Sequence, residues 1–395
     1  MNALNSNTER GAVRHLALLC GAVFAEFLAM GLPLPVLPGH VTTTLGFGAF
    51  VVGLAIGAQS WATLLTRHVA GTRADTRGPQ STAVLGLSIS VLAGALMAAS
   101  SVVTRPAVSL GVLLTARALL GLGESMVITS ARSGGVGRGG RERSGLVMAW
   151  VGIAMYGALA AGAPVGTWLA AHAGLVGVGL AASAAPLIGL ALVFFTRPLP
   201  ALGTARLPFH SVARAIWLPG LGLTLSALGF GAIAAFSTLR FEHEGWSRAS
   251  LAMTAFGVAY VAARILFGTL PDKLGGARVA MASTSLAGVG QALMFFAPSA
   301  ELAIAAAALT GFGFSLSFPA FGVEAIKRVA PQNRGVALGA YAACFDLTMG
   351  VGVPALGLAV GALGFAAAFA IGAVTAALAF AIAALLFSKS APARS

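Results

Sequence analysis

The chain has 395 residues, of which 58% are hydrophobic and only 9% are Asp, Glu, Lys or Arg. A soluble domain gives about a quarter of its residues to those four types, so a water-facing surface of this size is excluded and the chain belongs in a bilayer. Its net charge of +13 would suggest nucleic acid in a soluble protein; here it asks on which side of a membrane the positive charge lies.

At about 20 apolar residues per span, plus a connection, the length holds roughly 11 to 13 spans. Apolar windows predict twelve. The first six are Leu16–Leu37, Phe50–Val69, Ala83–Val103, Leu110–Ala131, Gly145–Ala170 and Leu175–Phe195. The second six are Ile216–Leu239, Ser250–Leu270, Val279–Ala297, Leu302–Ala325, Gly335–Val360 and Leu363–Phe387. The polar stretch Met1–Arg14 leads into a run too long for a signal-peptide core and without a clear cleavage site, so it is expected to persist as span one. The 52 glycines suit closely packed membrane helices.

With the N-terminus in the cytoplasm, twenty of the 24 Lys and Arg fall on the inner side. Arg105, Arg240 and Arg248 stay outside, and Arg117 is left within a span. This asymmetry predicts that both termini are cytoplasmic and accounts for the basicity without a nucleic-acid partner. Cys20 and Cys344 lie in apolar runs and offer neither a disulfide framework nor a metal pattern.

The Pro- and Arg-rich stretch Thr196–Ala215 is the one candidate linker. It predicts an N-terminal six-helix bundle (1–196), a cytoplasmic linker (197–214) and a C-terminal bundle (215–395). The halves repeat. Arg67-x3-Gly71-x3-Asp75-x2-Gly78, in the loop after span two, recurs 197 positions later as Arg264-x3-Gly268-x3-Asp272-x2-Gly275. Gly121-x-Gly123 of span four recurs 190 positions on as Gly311-x-Gly313, and Gly162 and Pro164 of span five as Gly352 and Pro354. Parallel repeats of six spans are the mark of a transporter that rocks about a central site.

These motifs resemble the major facilitator superfamily over essentially the whole chain. The resemblance implies an all-α membrane fold of twelve helices in two pseudo-symmetric six-helix bundles. Gly71, Asp75 and Gly78, echoed by Gly268, Asp272 and Gly275, look like its gating motif A, with Pro79 and Gln80 where basic residues are usual. Arg117-x3-Gly121 is similar to motif B, with Leu120 in place of a polar residue. Gly162-Ala163-Pro164-Val165-Gly166 is similar to antiporter motif C, and supplies a hinge. More narrowly, Gly121-Leu122-Gly123-Glu124-Ser125 and Gly152 to Ala158 resemble the uncharacterised YhhS-like branch of bacterial inner-membrane facilitators.

Ionisable groups inside a bilayer are costly and are therefore functional candidates. Glu26 lies about 15 Å into span one and Asp346 about 16 Å into span eleven, both near the midplane. Glu26 is the candidate proton carrier, against a purely structural hydrogen bond. Asp346 stands where the repeat has Tyr156, and so breaks the symmetry with a charge. Arg117 and Glu124, seven residues apart, share a helix face at about 10 Å, as relay or substrate groups or as partners of a structural pair. Of the aromatic residues, Tyr156 and Tyr341 are the candidates to line the cavity.

Absences narrow the energy source. No Gly-Lys pair exists for a P-loop, and the six histidines lie in loops or at span ends, so no intramembrane metal site is expected. The reading is a non-enzymatic secondary transporter of a small molecule, without cofactor, using the proton gradient by alternating access. Efflux by antiport is expected, with uptake by symport as the alternative and a non-transporting sensor as a remote one. The setting is the bacterial inner membrane, with the protein as a monomer whose partners are lipid and substrate.

Overall fold

The structure, a computed structural model, describes residues 2–139, 144–196, 214–329 and 334–390. The expected linker lies outside the described residues except for Arg214. In chain order the helices are α1 (Asn2–Gly31), α2 (Ala49–Arg77), α3 (Pro79–Ser100) and α4 (Pro106–Gly139). Ser144–Phe194 follows and is broken at Gly174, whose φ of 61° and ψ of −166° leave the helical region. We name its two parts α5 (144–173) and α6 (175–194). Next come α7 (Trp217–His243), α8 (Ser250–Phe267), α9 (Gly276–Phe296) and α10 (Ala300–Ile326). α11 (334–363) is α-helical except for the π-helical segment Thr348–Gly352, and α12 (Ala366–Ser390) closes the series.

Eleven helical stretches among the described residues are long and apolar enough to cross a membrane. One of them, Ala149–Phe194, has 46 residues, about 69 Å at 1.5 Å per residue and more than twice the hydrocarbon core. The break at Gly174 divides it into two crossings, which makes twelve. Gly174 falls between the sequence windows for spans five and six.

The internal repeat is physical as well as textual. A Cβ at Gly121 would fall on the backbone oxygen of Gln59, and one at Gly311 on that of Phe256, 197 positions beyond Gln59. A Cβ at Gly123 would sit 2.7 Å from the Gly86 carbonyl oxygen, and one at Gly313 2.7 Å from that of Ser283. Each pair is the same helix crossing, which only a residue without Cβ allows.

Two compact units emerge, one of residues 1–36 and 58–204 and the other of 37–57 and 205–395. In the first, α5 presses on the end of α1: a methyl at Gly162 would lie 2.8 Å from the Gly31 carbonyl carbon, and one at Gly166 would fall on the Leu32 oxygen. In the second, the start of α2 lies against α11, where a methyl at Gly53 would stand 2.7 Å from Pro354 Cα.

Candidate functional site

The first unit gathers a polar cluster inside its helices. Glu26 of α1 is 1% exposed, and its Oε1 accepts a hydrogen bond from Ser90 Oγ of α3 at 2.6 Å. Glu124 of α4 has its Oε2 2.6 Å from Gln59 Nε2, which donates to it, and 3.3 Å from Thr63 Oγ1. Gln59 and Thr63 are one turn apart on α2, so they present both donors to one carboxylate. Arg117 is fully buried, two turns before Glu124 on α4, and interacts with it electrostatically. Three of the expected residues, Glu26, Arg117 and Glu124, therefore stand in this unit, joined by Gln59, Thr63 and Ser90. Those three donors escaped the sequence reading, which weighed charge alone; polar side chains in mid-span were their signal.

The second unit has a different chemistry at the equivalent places. Gln59, Thr63 and Glu124 correspond to Phe256, Tyr260 and Phe314 at the repeat offsets of 197 and 190. These rings form a mutual triangle with centroids 6.2 to 6.5 Å apart. Phe230 and the half-buried Phe345 stack on Phe314 at 6.0 and 6.4 Å. Asp346, next to Phe345 and just before the π-helical segment, is 4% exposed. Tyr341 is fully buried, and its hydroxyl donates to the Phe318 carbonyl oxygen at 2.7 Å. Tyr156 is buried on α5 in the first unit.

Motif A takes a form that its expected loop does not have. α2 continues to Arg77, so Gly71 and Asp75 are helical and only Gly78 lies in the turn. Nothing between Arg67 and Gly78 breaks a helix. In the second copy Pro271 lacks an N–H and crowds the carbonyl four residues back, so α8 stops at Phe267, Gly268 caps it, and Asp272 rides on a five-residue turn. The last glycine of each copy has the same conformation: φ/ψ is 85°/155° at Gly78 and 89°/142° at Gly275. Gln80, where the family pattern has a basic residue, donates to the Val193 and Thr196 carbonyl oxygens at the end of α6.

Two arginines at span ends are drawn inside. Arg264 is 8% exposed and donates to the Tyr260 hydroxyl at 3.0 Å. Arg240, 4% exposed, donates to the Met294, Phe295 and Ala297 carbonyl oxygens at the end of α9. Glu324, in the last turn of α10, is 1% exposed and pairs with Lys327 at 2.9 Å and Arg328 at 3.3 Å.

Twelve crossings in two repeat-related sets, with charge and hydrogen-bonding groups deep in the first unit, define a polytopic helical membrane protein of the transporter type. The chain matches the Major Facilitator Superfamily over residues 19–247 and 219–395, and it belongs to that family. It is 43% identical over 344 residues to an uncharacterised MFS-type transporter of Burkholderia mallei, covering 87% of this chain and 84% of that one. A second uncharacterised MFS-type transporter, from Salmonella typhimurium strain LT2, is 39% identical over 348 residues, covering 88% and 90%. Among solved structures, the human organic anion transporter MFSD10 matches with a TM-score of 0.73 at 17% identity, over 94% of this chain and 99% of that one. A point mutant of the nucleoside transporter NupG matches with a TM-score of 0.74 at 16% identity, over 94% and 100%. At such identities the likeness is one of fold.

Proposed function

We propose that this membrane transporter exports a small molecule in exchange for protons, by alternating access, from the bacterial inner membrane with both termini in the cytoplasm. The burial of Glu26 in mid-membrane carries this reading. A carboxylate there is expensive to keep charged, so protonation lowers the cost of moving the helix that bears it and couples a proton to the conformational cycle. Asp346, in the other unit and without a charged repeat partner, is the candidate substrate or second proton group, with Arg117 and Glu124 as relay. The glycines of α5 that seat it on α1, Gly162 and Gly166 beside Pro164, supply the hinge that favours antiport. Asp75 and Asp272, each just before the final glycine of a motif A copy, serve the gate. The energy source is the proton gradient, with no cofactor, and a monomer suffices.

Respiring inside-out vesicles carrying the protein test this with a panel of small molecules and a dye for lumen acidity. An exported substrate is expected to de-acidify the lumen, and Glu26→Gln and Asp346→Asn are expected to cut that response at least tenfold, about 1.4 kcal/mol in rate. Proton entry into right-side-out vesicles on adding a compound, with no response in the inverted ones, would instead mark uptake by symport. No response to any proton gradient in either orientation would leave the sensor reading.

A further inference from the structure

This inference rests on the proton-carrying reading of Glu26 and concerns how its proton is held. Ser90 Oγ lies 2.6 Å from Glu26 Oε1 and 3.2 Å from the carbonyl oxygen of Gly86, one turn back on its own helix. A hydroxyl has one proton and two lone pairs, so it donates to only one of these acceptors at a time. Glu26 Oε2 is buried with no hydrogen-bond partner among the described residues. Oε1 is therefore the oxygen through which both states of the carboxyl can be satisfied. An ionised Glu26 accepts the Ser90 proton in a charge-assisted bond. A protonated Glu26 needs an acceptor for its own O–H, because a buried donor left unmade is costly. Ser90 Oγ is that acceptor once its own proton has turned to Gly86.

We propose that Ser90 is the positioning residue of the Glu26 proton: its hydroxyl donates to Oε1 of the carboxylate, and turns to the Gly86 carbonyl while accepting from Oε1–H of the acid. The proton is thereby fixed on Oε1. The second unit provides the comparison. There Gly313 crosses Ser283 at the same 2.7 Å, and the position of Ser90 is taken by Ala287. The crossing of the two helices does not need a hydroxyl; its presence beside Glu26 has another reason. Gly123 leaves the room, since a Cβ there would fall on Ser90 Oγ and 3.3 Å from Glu26 Oε1. Glu124 on α4 acts electrostatically on Glu26, and Arg117 on the same helix acts on Glu124. α3 and α6 carry no ionisable side chain, and α5 carries Tyr156 and His172.

Infrared spectra of the full-length protein in lipid nanodiscs, titrated with acid and base, test this without a known substrate. The carbonyl stretch of a protonated carboxyl that disappears in Glu26→Gln identifies Glu26. Ser90→Ala is expected to move that band to higher frequency, as an acid relieved of its hydrogen bond does. Ser90→Thr keeps a hydroxyl within reach of the same carbonyl and is expected to hold the wild-type frequency. An unchanged band in Ser90→Ala, or equal shifts in Ser90→Ala and Ser90→Thr, overturns the positioning role and leaves Glu26 as proton carrier. If Glu26→Gln removes no band, both readings fail together.

Discussion

A guanidinium drawn into an apolar bundle has to find several acceptors at once, and Arg240 finds them where α9 ends. Its donors meet the carbonyl oxygens that a helix C-terminus leaves unpaired, and its plane lies 5.7 Å from the Trp246 ring centroid and 5.5 Å from that of Phe369. Arg240→Ala is expected to cost about 2–3 kcal/mol, from charged hydrogen bonds and two cation–π contacts, read as a melting temperature several degrees lower in detergent. An unchanged melting temperature would mean that water replaces the side chain at that helix end. Nothing in the composition distinguished Arg240 or Arg264 from a solvated charge at a span end, because a residue there points in or out according to partners remote in sequence. Glu26, Arg117, Glu124 and Asp346 were legible, since charge inside an apolar run has few explanations. Gln59, Thr63 and Ser90 were not, because neutral polar side chains in spans commonly bond their own helix, as Ser90 also does with Gly86.

At the scale of elements, the two copies of motif A separate what the pattern needs from what it tolerates. An unbroken helix before the final glycine is optional: α2 runs on through Asp75 in one copy, whereas in the other α8 stops at Phe267 and a separate five-residue helix, Leu270–Leu274, carries Asp272. The conformation of the final glycine is not optional. Both Gly78 and Gly275 lie at positive φ with extended ψ, a region closed to residues with a Cβ, and both turn the chain directly into the next helix. No atom stands within 4 Å of a Cβ built on Gly275. Gly275→Ala therefore tests backbone strain alone, and the expected loss is about 1–3 kcal/mol, measured by thermal unfolding. A loss near zero would mean that the turn relaxes and that the shared dihedrals are incidental. The span windows and the break at Gly174 were readable from apolar length, whereas the extent of α2 was not, since the residues from Arg67 to Arg77 are too polar for a span yet contain no helix breaker.

For the molecule as a whole, the repeat gives a common frame to two unlike interiors. The positions held by a carboxamide, a hydroxyl and a carboxylate in one unit are held by three aromatic rings in the other. Fold was the more readable level, because repeated glycines and periodic apolar runs are written locally. The polar network of the first unit depended on pairs 60 or more positions apart, such as Gln59 with Glu124 and Glu26 with Ser90.

The change of repeat offset from 197 to 190 has a consequence for the ancestry and labelling of the chain. Between the shared crossings, 37 positions separate Gly86 from Gly123 but only 30 separate Ser283 from Gly313. The seven extra residues lie in the hairpin of α3 and α4, whose tip is residues 101–105. The tip is two residues longer than its counterpart 297–299 and the flanking helix ends supply the other five, so the hairpin has changed length without disturbing the crossings below it, and its tip is where a foreign sequence should be accepted. A short epitope inserted after Val103 is expected to preserve expression and to bind antibody on intact spheroplasts. Binding only after the membrane is opened would reverse the proposed sidedness of every loop.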